Sequence, residues 1–169
     1  MRRFLALFLP LLVLWVLVSQ ANHVLAQFHV YLVLGALFVV YAALTMPLRI
    51  GLLTSFAAGL LHDSQTSVAF GLHAVLFGLT HALLFYIRDR VPRDETVARV
   101  VIALLSNLAF FLVFSFTQIG GLPSPAEVWP RLIWDLLWSQ LAITLVAPWF
   151  FALQSRSLVV ARVARDEPV

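Results

Sequence analysis

The sequence predicts an all-α membrane protein of six transmembrane helices with both termini in the cytoplasm. Three observations carry that expectation. Hydrophobic residues make up 62% of the 169 and charged residues 11%, against roughly one-half and one-quarter in an ordinary soluble domain. A single soluble core cannot hide that much apolar surface, whereas a bilayer accepts it. Long apolar runs recur along the chain, and arginine alternates from one connector to the next.

Crossing the hydrocarbon core takes about 17–25 apolar residues. Spans are expected over residues 4–20, 29–45, 48–64, 69–87, 100–119 and 132–153. The third is the short one: its apolar stretch, Ile50 to Leu61, covers only about 18 Å as a helix, so it is extended by its flanks, enters a thinned region of the bilayer or stops part-way. Basic residues in short connectors concentrate on the cytoplasmic side. Arg2 and Arg3, Arg49, then Arg88, Arg90, Arg93 and Arg99, and finally Arg156, Arg162 and Arg165 all fall on one side of a six-span chain, and Arg131 alone falls on the other. Removing the short span would put the four-arginine connector opposite Arg2 and Arg3, so the charge pattern supports it.

Residues 1–153 read as one polytopic domain, with no internal repeat, and 154–169 as a basic cytoplasmic tail. Leu158, Val159, Val160 and Val163 among the tail arginines suggest either a short helix on the anionic inner surface or a solvated end. The first span has a competing reading as a cleaved secretory signal ending near Ser19-Gln20-Ala21, against which stand its length and bulky Trp15. Gly120 to Pro125 is a turn that closes span five. The net charge of +3 and pI of about 10.2 do not indicate nucleic acid, because the positive residues are dispersed among connectors. Cysteine is absent, which excludes disulfides, thiolate metal sites and cysteine nucleophiles.

Span three carries Gly51, Ser55, Gly59 and Asp63 at four-residue intervals. That small-residue ridge, ending in a carboxylate, lets another helix approach closely and places span three at the centre. Ala74, Gly78 and Ala82 make the matching ridge on span four. Ionisable groups at membrane depth are functional candidates by default. Asp63, His73 and Asp135 gather toward the outer side, where they could converge, and His81 is the deepest titratable group. A metal reading would recruit His62, Asp63 and His73, but zinc-enzyme spacing is lacking. A proton relay through His81 and Asn107 lacks further groups across the bilayer. No nucleophile elbow, phosphate-binding loop or paired carboxylates appear, so the chain reads as a non-enzyme with neither cofactor nor metal. Trp129, Trp134, Trp138 and Trp149 read as interfacial anchors.

The segment Met46 to Leu72, MPLRIGLLTSFAAGLLHDSQTSVAFGL, resembles the bacterial rod-shape-determining MreD family. The match rests on Pro47-x-Arg49 before span three, Gly59-x-x-x-Asp63 at its far end, and Gly71 opening span four; length and topology agree. The resemblance implies a component of the lateral cell-wall elongation machinery, beside an actin-like MreB filament, a periplasmic MreC and cell-wall synthases, with no reaction of its own. It also implies a fold similar to the substrate-binding subunits of energy-coupling-factor vitamin transporters. That similarity supplies the alternative function: a transporter subunit whose outward pocket near Asp63, His73 and Asp135 takes a small ligand. The resemblance attaches structural importance to Pro47, Arg49, Gly59, Asp63 and Gly71. In physical terms Pro47 and Arg49 define a turn, Gly59 and Gly71 admit close helices, and Asp63 can cap span four. The last third, with Asp135, departs from the family pattern.

Overall fold

The computed structural model describes residues 2–66, 69–92, 95–119 and 125–161. Among them are six α-helices and no strand: α1 (Arg2–Leu25), α2 (Gly35–Thr45), α3 (Leu48–Asp63), α4 (Leu72–Ile87), α5 (Thr96–Ile119) and α6 (Pro125–Val160). Short 3₁₀ turns follow α1 at Ala26–Phe28 and α4 at Arg88–Arg90. By length and composition α1, α5 and α6 are apolar enough to cross a membrane. Arg93, the turn residues Gly120 to Ser124, and Arg162, Val163 and Arg165 of the tail lie outside the described residues.

The centre of the bundle is α2, not the third span that the small-residue ridge suggested. A helix apolar on every side belongs in the interior. Every residue of α2 from Gly35 to Leu44 is buried, and α2 packs against α3, α4, α5 and α6. The closest helix pair is α3 with α4; α5 lies along α6, and α1 covers α6 and α3. Leu7, Leu11, Phe38, Phe77, Phe110, Ile143 and Phe151 form one continuous core between them.

Three expected boundaries change. The second span was expected to be helical from residue 29, but α2 begins only at Gly35. His29 takes a left-handed conformation, φ 58°, and the chain then runs without helix to Leu34. The eleven residues of α2 reach only about 16 Å, which their central position tolerates because they face protein. The last span was expected over 132–153; α6 instead runs for 36 residues, about 54 Å, so Asp135 lies nearly three turns into the helix. The first part of the tail continues α6 and is neither a separate surface helix nor a loose end. Gln154 and Leu158 are buried, and Gln154 Nε2 donates to the carbonyl of Leu7 at 3.3 Å. Nearby, Tyr41 and Ser155 share a hydroxyl hydrogen bond of 3.0 Å. These contacts gather the start of α1 and the ends of α2 and α6 at one end of the bundle, the Pro47 end. The ends of α1, α3 and α5 meet the starts of α4 and α6 at the other, the hairpin end.

Candidate functional site

At the hairpin end the chain must begin α4 beside the end of α3. The first turn of a helix has backbone N–H groups with no partner inside it. Asp63 supplies most of the acceptors. Its Oδ2 accepts from Gly71 N at 3.0 Å and Ala74 N at 3.2 Å, and its Oδ1 accepts from His73 N at 3.0 Å. Leu72 N donates to the Ala69 carbonyl at 3.1 Å, which completes the set. His73 Nδ1 adds a fourth bond to Asp63 Oδ1, at 2.8 Å, with the ring tautomer that carries its proton on Nδ1. The Asp63 side chain is fully enclosed and that of His73 nearly so. One carboxylate therefore caps α4 from the last residue of α3.

The two glycines of this region answer different demands. A Cβ on Gly59 would overlap the backbone of His73 and Ala74, so the α3–α4 contact exists only with hydrogen there. Gly71 was expected to admit a close helix; instead nothing lies within 4 Å of where its Cβ would be, and its φ of +98° is the requirement, a conformation L residues avoid. Further along the ridge, Gly51 faces the ring of His81 and Ser55 Oγ lies 3.0 Å from His81 Nδ1. The facing row on α4 is thus His73, Ala74, Phe77 and His81. Of the expected row of Ala74, Gly78 and Ala82, Ala74 makes the close contact and Gly78 does not: even a Cβ added at Gly78 would come only to 3.9 Å, from Leu52.

Asp135 does not join the Asp63–His73 pair. It serves the non-helical approach to α2, whose backbone needs partners wherever water is excluded. Asp135 Oδ1 accepts from Tyr31 N at 2.8 Å and Ser139 Oγ from Val33 N at 2.9 Å. Between them Asn22 acts as a peptide-like partner for Leu32: its Oδ1 accepts from Leu32 N at 2.8 Å and its Nδ2 donates to the Leu32 carbonyl at 3.0 Å. Asn22 and Ser139 escape notice in the sequence, where Asn22 falls in the polar run Ser19 to His23 just past the expected first span and Ser139 stands beside Gln140. Their only signal is that polar groups at membrane depth need partners.

Between these two polar clusters lies a cavity of about 460 Å³, lined from every helix and from residues 31–33. His73 and Asp135 both face it; Asp63 stands behind His73. Its wall includes a ring stack: His73 lies on Phe114 with centroids 4.0 Å apart, and His62 lies parallel to His73 at 5.8 Å. Among the described residues no three His, Asp or Glu side chains converge as metal ligands, and no hydrogen bond joins His81 to Asn107, whose amide is buried without a partner.

At the Pro47 end, Pro47 (φ −60°, ψ 143°) starts α3 and its carbonyl takes the N–H of Gly51 at 3.0 Å. Pro47 and Arg49 are exposed. The residue that holds this turn is Arg88, which sequence reasoning passed over as one of a basic run. Its Nη1 donates to the Met46 carbonyl at 3.1 Å and its guanidinium lies 4.0 Å over the Phe85 ring.

No curated protein and no solved structure matches this chain, and nothing supports the transporter-subunit alternative. The family model of the rod shape-determining protein MreD matches residues 1–156. The chain belongs to the MreD family and has a role in the rod-shape-determining complex.

Proposed function

We propose that this protein is a non-catalytic membrane scaffold of the cell-wall elongation complex, helping to organise peptidoglycan synthesis. The observation that carries the reading is how the polar groups are used. Asp63, the carboxylate of the family-like segment, accepts four hydrogen bonds within the bundle, and Asp135, Asn22 and Ser139 each hold backbone of the segment before α2. These groups fix a shape. An MreC-like periplasmic protein, an MreB-like filament system and cell-wall synthases are the proposed partners.

The proposed setting is the bacterial inner membrane, with all six helices in the bilayer as one domain and both termini cytoplasmic. Charge supports this: Arg2, Arg3, Arg49, Arg88, Arg90, Arg99 and Arg156 belong to the Pro47 end and Arg131 to the hairpin end, which the positive-inside rule assigns to cytoplasm and periplasm. Pro47, Arg49, Gly59, Asp63, Gly71, His73 and Asp135 are proposed as residues that hold the shape or meet partners. The likeness to energy-coupling-factor substrate-binding subunits is proposed for helix number and order.

Mass spectrometry of proteins co-purifying after mild detergent extraction of native membranes tests the reading. It predicts a single-span protein with a β-rich periplasmic domain and cell-wall synthases. Recovery of paired cytoplasmic ATPases with a membrane coupling subunit would contradict it.

A further inference from the structure

Gly78 and Ala82 continue the small-residue row of α4 past Ala74, yet the fold gives them no close partner. A Cβ placed at Gly78 would meet a single atom within 4 Å, on Leu52 at 3.9 Å, and both residues remain half-buried. Helical phase sets exposed Leu52 and Phe56 of α3 on one side of this row and exposed Leu79 and Leu83 of α4 on the other. The result is a shallow apolar groove along the outside of the bundle. From Gly78 to Arg88 the helical rise is about 15 Å, half of the roughly 30 Å hydrocarbon core and so the depth of one leaflet.

Positive charge gathers where the groove reaches the Pro47 end. Arg49 is exposed, takes part in neither ion pair found among the described residues, and lies in the first turn of α3, which holds no acid. A cation there stands at the positive end of the helix dipole, where an anion is favoured. Arg88 comes to the same turn from α4: its Nη1 donates to the Met46 carbonyl at 3.1 Å, and its guanidinium lies 4.0 Å over the Phe85 ring. These contacts hold the group in place, and the Met46 bond engages one of its five N–H donors. Its acidic neighbour Asp89 is 3.9 Å from Nε, with a side chain 78% exposed, a separation too long for a hydrogen bond.

We propose that this groove holds one anionic phospholipid, an acyl chain lying along Gly78 and Ala82 and the phosphate between Arg49 and Arg88. The inference rests on the membrane setting proposed above. Charge complementarity selects the occupant, because guanidinium groups match phosphate oxygens in charge and in geometry. An apolar helix from a partner could fill the groove but would answer neither arginine. Bound there, the lipid ties the α3–α4 pair and the turn at Pro47 to the acidic lipids of the surrounding leaflet.

Native mass spectrometry of the full chain released from mild detergent, titrated with phosphatidylglycerol or with phosphatidylcholine of the same chain length, tests the proposal. The first phosphatidylglycerol should bind more tightly than the first phosphatidylcholine by about tenfold or more, the scale of two arginines near an anionic headgroup. Arg49→Gln should reduce that preference about fivefold. Gly78→Leu, which fills the groove from a position with room for a side chain, should abolish the preferred adduct. Arg131→Gln, at the hairpin end, should change neither. Arg88 is kept in every variant because it also holds the Met46 turn. Equal affinity for the two lipids, or a preference unmoved by Arg49→Gln or by Gly78→Leu, would overturn the proposal and leave the membrane setting standing. A chain that stays dispersed in buffer without detergent would overturn both. Retained lipid preference in Gly78→Leu together with loss of a co-purifying single-span protein would assign the groove to a partner helix and refute the lipid.

Discussion

Asp63 shows how much a single side chain can hold. Asp63→Ala leaves the N–H groups of Gly71, His73 and Ala74 without their acceptor in a buried place, where each orphaned donor costs about 1–3 kcal/mol. A loss of about 3 kcal/mol or more in reversible unfolding in mixed micelles is expected, and Asp63→Asn, which keeps one acceptor oxygen, should lose less. Equal stability of Asp63→Ala and wild type would remove the cap from the account. The glycines divide in the same experiment. Gly71→Ala meets no atom but keeps a positive φ and should cost about 1 kcal/mol. Gly59→Val must move the α4 backbone and should cost about 3 kcal/mol. The Gly59 and Asp63 positions were legible in the sequence because their four-residue spacing reports a helix face. What Gly71 needs was not, since a glycine letter does not distinguish close packing from a left-handed turn.

At the scale of elements, the segment before α2 is the least helical part of the bundle and relies on side chains of two other helices. Asn22→Ala removes both bonds to Leu32, and Ser139→Ala removes the acceptor of Val33 N. Hydrogen exchange in nanodiscs should show faster exchange at residues 31–33 in either variant, with the α3–α4 pair unaffected. Uniform protection across both regions would contradict the assignment of these residues as local pins. Periodicity gave the number and order of helices but misplaced the start of α2, because Val30 to Leu34 is as apolar as the helix that follows. Apolarity reports burial, and the bonds that replace helical ones come from residues far away in sequence. For the same reason the all-apolar α2, not the ridge-bearing α3, proves central: a ridge marks one close contact, whereas the centre needs every face apolar.

For the whole molecule, the arginine distribution and the folded bundle agree on two ends of opposite character. Gln65→Cys at the hairpin end should react with an impermeant thiol reagent in intact spheroplasts, and Arg90→Cys should react only after lysis; both positions are exposed. Reaction at both before lysis would refute the six-span topology. The family was legible in the short segment around Asp63, and the family match extends over residues 1–156. The cavity was legible only as a gathering of polar groups toward one side, since its wall depends on how His73 of α4 and Phe114 of α5 stack. The central claim, a scaffold of the rod-shape complex, is tested most directly by cell shape. Depleting this protein in its native host and measuring cell width by microscopy should show rods widening and rounding, with wild-type protein restoring them. Rods of unchanged width after full depletion would contradict the account.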